Sequence, residues 1–181
     1  MNHYGGQQLA ANSRTVRKNT LQIAEDIPED KYNFRAAPGT RSIAELLTHI
    51  AVSQAFQEEV HGKKKLSTLA GFDFPALMQR MAAEEQKPRT KAQIVELLRS
   101  NGEAWAAWLE RLSDDFLAES VSMPSGGSPA SRTRLDMLLS VKEHEMHHRG
   151  QLMLVERIIG IVPHLTRERQ AHMSAAANTK Q

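Results

Sequence analysis

Apolar residues recur at steps of three or four along most of this chain, and the breaks between the runs carry helix-stop and helix-start signals. The first run covers residues 7–27, with Leu9, Ser13, Val16, Thr20, Ile23 and Ile27 on one side, and Pro28 ends it. Residues 29–41 contain Pro38-Gly39 and read as a loop. Ser42 and Glu45 then form a capping box, in which hydroxyl and carboxylate satisfy backbone N–H groups at the start of a second helix. Its buried side is Ile43, Leu46, Leu47, Ile50, Phe56 and Val60, and it should end near His61-Gly62. Asp73 and Pro75 open a shorter helix with Leu77, Met78 and Met81 inward, broken at Lys87-Pro88. Thr90 and Gln93 make another capping box, leading a helix that carries Ile94, Leu97, Leu98, Trp105, Trp108, Leu109 and Leu112 on one side. Residues 114–132 hold Pro124, Gly126-Gly127 and Pro129 and read as a looser region. Short extended pieces are allowed around 117–123, but no sheet is expected. The last helix spans 133–159, with Gly160 placed as its C′ residue and Pro163 blocking continuation.

Four long helices and one short accessory helix make an all-α four-helix bundle the expected architecture. With 181 residues the chain can close one hydrophobic core, so residues 1–173 are read as a single domain and 174–181 as a flexible tail. Lys and Arg number 23 against 21 Asp and Glu, and the two signs are interspersed, which leaves no basic footprint for nucleic acid. No apolar run approaches the roughly 20 residues that span a bilayer, and the start has no signal-peptide pattern, so a cytoplasmic protein is expected. The chain has no cysteine. That fits a reducing compartment and excludes thiolate metal ligands and a protein thiol nucleophile.

The chemistry-bearing residues are histidines. His144 and His148 stand four apart in the last helix, so at 100° per residue their imidazoles leave it about 40° apart and one turn apart. Met137 and Val155 fall within about 20° of His144 on the helical wheel, which turns the pair toward the bundle interior. His49 shares its side of the second helix with Phe56 and Val60, each within about 20° of it, and can face the last helix. Three neutral imidazoles from two facing helices leave coordination positions open, as a metal that binds substrate requires. His147 falls on the flank of the pair or stands behind it as a partner to the ligands. Gln151 shares the face of His144 and can orient a ligand or simply be a satisfied polar residue. His61, His164 and His172 are expected at the surface, and Arg149 in a surface salt bridge. Trp105 and Trp108 are read as core, with a pocket wall as the alternative, and loops 63–74 and 113–131 are expected to shape any pocket.

Residues 144–148 also match H-E-x-x-H, the zinc motif in which the Glu activates water. The extended form fails, because Gln151 and Leu154 occupy the positions of its Gly and third His. No strand pattern offers an edge for a peptide, and His49 supplies a third ligand from another helix. On the wheel Glu145 lies about 100° from His144, which favours a flank.

Two segments, RSIAELLTHI at 41–50 after the loop 31–39 and HEMHHRGQL at 144–152 followed by Gly160 and Pro163, resemble the DinB/YfiT-like metalloenzymes. The resemblance covers nearly the whole chain and implies a bundle of up-down-down-up type. It also implies a homodimer, and His49, His144 and His148 as ligands of a divalent metal such as nickel or zinc. Members of known activity are similar to thiol-dependent S-transferases and isomerases that use a low-molecular-weight thiol, and others to hydrolases. The implied activity is metal-dependent transfer to an external thiol on a small-molecule substrate. The alternatives are a metal-dependent hydrolase or a non-catalytic metal-binding protein.

Overall fold

The computed structural model describes residues 4–178. Its bundle helices are α1 (Gly6–Asp26), α2 (Ile43–Val52), α5 (Lys91–Leu109) and α7 (Arg134–Ile158). Between them lie the short α3 (Ala55–Gln57), α4 (Phe74–Glu85), α6 (Asp114–Ala118) and a two-stranded antiparallel sheet of β1 (Ser120–Ser122) and β2 (Ser131–Thr133). A final helix, α8 (His164–Asn178), follows. No described helix is long and apolar enough to cross a membrane.

The capping chemistry forms as read. Ser42 Oγ accepts from Glu45 N while the Glu45 carboxylate accepts from Ser42 N, and Thr90 and Gln93 repeat the exchange at the start of α5. Asp73 caps α4 by accepting from Ala76 N. Thr133 caps α7, and Gly160 ends it in the left-handed region at φ 85°.

Side-chain contacts fix the helix directions. Arg14 early in α1 bonds Glu110 just past the end of α5, whereas Lys91 at the start of α5 donates to the carbonyls of Glu25 and Ile27. These two helices are antiparallel. Leu9 packs with Leu138, Arg17 pairs with Glu145 and Ile23 shares a core cluster with Leu152, so α7 runs alongside α1 in the same sense. Ile43 clusters with Ile94, and Asn101 donates to Ala51 further along, so α2 runs with α5. Both α1 and α2 pack against α5 and α7, which places the first two helices diagonally across the bundle. This is the up-down-down-up order.

One polar connection crosses the interior. The buried Arg17 guanidinium donates from Nε and Nη2 to both Glu145 oxygens at 2.9 and 3.0 Å and from Nη1 to Leu98 O at 2.6 Å. Thr20 Oγ1 donates to Glu145 at 2.7 Å. Room for this arginine comes from Gly102 of α5, where an added Cβ would stand 2.7 Å from Arg17 Cγ.

Several expectations need correcting. The second helix does not run unbroken to His61: its α-helical course ends at Val52, and after α3 it becomes a π turn over Glu58–Lys63. A π turn takes in one extra residue, so the wheel phase read from α2 fails beyond the break. Met78 is not inward but 49% exposed, because α4 lies on the bundle through a narrow seam of Leu77 and Met81. The region 114–132 contains α6 and the small sheet. Pro163 stops α7 yet also opens α8, its carbonyl accepting from Thr166 N and Arg167 N. The sequence of α8 lacks an apolar stripe, and Arg167 ties it to Asp26 at 2.6 Å. Residues 174–178 thus belong to a helix, and 179–181 lie outside the described residues.

Candidate metal centre

α2 and α7 bring three imidazoles to one point. His49 Nε2 lies 3.0 Å from His144 Nε2, and His148 Nε2 lies 3.1 Å from the same atom. One ligand atom from each of His49, His144 and His148 falls within 4.8 Å of the others. The outer nitrogens are held in place. His49 Nδ1 sits 2.6 Å from Glu85 Oε1, and since a carboxylate only accepts, that nitrogen carries the proton. His148 Nδ1 donates to Gln151 Oε1 at 2.8 Å, while Gln151 Nε2 donates to His147 Nε2 at 3.1 Å.

Those two bonds leave the Nε2 lone pairs of His49 and His148 directed at His144. If His144 carries its proton on Nε2 it can donate to only one of them. If it carries the proton on Nδ1, all three lone pairs converge. His144 Nδ1 is in either case buried without a partner. A cation between the three Nε2 atoms satisfies all three converging lone pairs, so the donor set fits a divalent ion bound by nitrogen. All three rings favour the neutral, ligating form. Burial pulls His144 down to about 4, helped by the neighbouring His148 and His49. Burial likewise lowers His49 against the opposing pull of Glu85, and His148 against that of Gln151.

Glu85 is the functional neighbour that sequence reasoning missed. It closes α4 and accepts from Arg41 Nε at 2.7 Å as well as from His49, making a chain Arg41–Glu85–His49. Nothing in the sequence links the register of α4 to His49. Beside this cluster opens a cavity of about 620 Å³ lined by Arg35, Arg41, Leu46, Glu85, Gln151 and Leu154, with His148 reaching it. Loop 35–41 and α4 shape this cavity, not the loops 63–74 and 113–131 expected to do so.

Other readings also change. Glu145 does lie off the face of the imidazoles, but it is buried against α1, with both oxygens held by Arg17. A carboxylate fixed there cannot serve an H-E-x-x-H water, which removes the protease reading. His61 and His164, expected at the surface, are 1% and 4% exposed. The π turn swings His61 inward, and His164 is buried as the first residue of α8. His172 is exposed, as is His147. Trp105 lies in the core and Trp108 packs against it from a half-buried position, while Arg149 makes no ion pair among the described residues.

A family model for the DinB superfamily matches residues 13–152. The chain belongs to the DinB superfamily. A curated relative, the uncharacterised protein YjoA of Bacillus subtilis (strain 168), is 24% identical over 155 residues, which is 84% of this chain and 90% of YjoA. The crystal structure of that DinB-like protein superposes with a TM-score of 0.62 over 84% of this chain and 92% of its own. YfiT of Bacillus subtilis is 15% identical, with a TM-score of 0.65 over 86% of this chain and 88% of YfiT. It is described as a probable metal-dependent hydrolase with an unusual four-helix bundle topology. An uncharacterised protein of Clostridium difficile 630 gives a TM-score of 0.64 at 14% identity over 88% of this chain and 99% of that one. These likenesses establish the DinB fold.

Proposed function

We propose that this DinB protein binds one divalent metal, nickel or zinc, through His49, His144 and His148 and uses it to activate an external nucleophile against a small molecule held in the adjoining cavity. The convergence of three Nε2 atoms on one point carries this reading. Bound there, the metal acts as a Lewis acid and lowers the pKa of water or of a thiol. The chain itself offers no thiol to compete. It has no cysteine, and the two carboxylates nearest the cluster, Glu85 and Glu145, are both engaged in ion pairs. Glu85 holds the His49 proton on Nδ1 and so keeps Nε2 free to ligate; Gln151 does the same for His148. Leu46 and Leu154 exclude water from one side of the cavity, while Arg35 and Arg41 give it a cationic rim.

Two nucleophiles fit. Water makes the protein a hydrolase, the activity with which YfiT is described. A low-molecular-weight thiol makes it an S-transferase in a reducing cytoplasm. Parallel assays separate them: release of an acid from activated esters and amides, and conjugation of small thiols to an aryl halide, each with metal-loaded and chelator-treated protein. Turnover in one assay that disappears with chelator assigns the branch. Metal bound without turnover in either overturns the catalytic reading in favour of a structural site.

For the homodimer, Met146, Leu154 and Ile158 form an exposed strip on α7 around Gly150, where nothing stands near a would-be Cβ. Two antiparallel copies of α7 centred on Gly150 would set Met146 against Leu154 and Glu143 against Arg157 of the second copy. Sedimentation of the wild type and of Leu154→Lys tests this, a dimer lost in the variant being expected and an unchanged mass contradicting it.

A further inference from the structure

The π turn over Glu58–Lys63 delivers His61 to the opposite end of the bundle, beside Arg134 at the start of α7. Ten residues of α7 separate Arg134 from His144, about 15 Å along the helix. Arg134 Nη1 donates to His61 Nδ1 at 2.8 Å, and Arg134 itself is balanced by Glu119 at 2.8 Å and lies over the Phe116 ring at 4.6 Å. A guanidinium only donates, so the His61 proton sits on Nε2. That N–H is buried and has no partner. Burial and the nearby Arg134 charge push His61 down to about 4, so the ring stays neutral and Nε2 remains a donor.

His61 forms the floor of a cleft of about 370 Å³ whose other walls include Trp108, Leu112, Phe116, Lys65 and Arg111. Apart from Ser113, whose Oγ already accepts from Phe116 N, the polar side chains it presents are donors. Lys65 and Arg111 make no ion pair or hydrogen bond through their side chains, and the Trp108 indole N–H is likewise unbonded, among the described residues. The indole edge lies beside Gly62, next to His61. Lys65 adopts φ 46°, a left-handed conformation uncommon outside glycine. The acids of α6, Asp114 and Asp115, do not line the cleft. Buried donors are ordinarily paired, so an orphaned N–H under two unpaired cations calls for an acceptor that carries negative charge. The ring of Trp108 and the side chains of Leu112 and Phe116 call for an apolar body on the same molecule.

We propose that this cleft is a second ligand site, separate from the metal centre, for a small carboxylate with a flat apolar body. One carboxylate oxygen accepts from His61 Nε2 and the other faces Lys65 and Arg111, while the flat body lies along Trp108. Benzoate is the probe, with benzyl alcohol as its uncharged counterpart, titrated into the full chain while ¹H–¹⁵N spectra follow the His61 Nε2–H and the Trp indole N–H signals. Benzoate is expected to shift the His61 and Trp108 signals together along one saturating curve and to leave the core Trp105 in place. Benzyl alcohol should bind at least about tenfold more weakly, and the exposed double variant Lys65→Ala/Arg111→Ala should weaken benzoate by about tenfold or more without changing metal content. Absence of saturation overturns the proposal. So does a Trp108 shift without a His61 shift, which would mean an ion held only at the rim, or equal binding by the double variant.

Discussion

His144 and Glu145 are neighbours on α7 and have opposite fates. Glu145 turns toward α1, where Arg17 and Thr20 fill its acceptor sites, and Arg17 in turn donates to Leu98 O of α5, so the network ties three helices together. His144 turns toward α2, where its Nε2 meets two more imidazole nitrogens and its Nδ1 finds nothing. A buried polar group that is completely paired belongs to the architecture; one left incomplete, among groups of the same kind, is waiting for something the chain does not supply. Glu156, three turns further along the same helix, gives a third case. Both of its oxygens are buried without partners, and burial raises it to about 7, so it is held as the neutral acid.

The largest effect should come from the completed side. Glu145→Ala leaves the Arg17 guanidinium buried without its counter-charge and should cost about 3–5 kcal/mol in urea unfolding, with most of the loss recovered when Arg17→Met is added. A loss under about 1 kcal/mol would mean that the crossing is not structural.

Next comes Glu156. The folded acid keeps its proton up to about 7, while the unfolded one loses it near 4.5. Its contribution to stability is therefore complete below 4.5 and is lost as the pH rises through 7. The stability of Glu156→Gln relative to wild type should rise by about 2–3 kcal/mol between pH 4 and pH 8, read from unfolding curves at each pH. A flat difference would place Glu156 in contact with water.

On the incomplete side, Glu85→Gln should weaken metal binding by about 10–100-fold in calorimetric titration while leaving the fold intact, since it removes the carboxylate that fixes the His49 ring. Unchanged affinity would reduce Glu85 to the partner of Arg41 alone. The smallest effect should be that of His144→Ala on the metal-free chain, under about 1 kcal/mol, because it removes a crowded and unpaired ring from a half-buried position. Set against Glu145→Ala one residue away, that contrast is the sharpest test of the two roles.

Much of this was legible in the sequence because local rules carry it. The capping boxes at Ser42 and Thr90 and the Gly160 stop are contacts within a few residues, and they set the helix starts and ends. His144 and His148 could be paired because an α-helix preserves its phase from one to the other. What failed was non-local. The inward swing of His61 depends on a π turn, where the phase breaks. The burial of Glu145 depends on Arg17, 128 residues away. Glu85 was invisible because tertiary packing, not sequence spacing, sets α4 against His49. α8 was missed because its sequence has no stripe to announce it, only Arg167 reaching Asp26 and the buried His164 at its start.

The central claim is that the three imidazoles form a site for one ion. Elemental analysis of protein purified without added metal, then dialysed against nickel or zinc, measures it directly in the wild type and in His49→Ala, His144→Ala and His148→Ala. About one metal per chain in the wild type and less than about a tenth of that in each variant is the expected result. Equal metal content in the wild type and the three variants would contradict it.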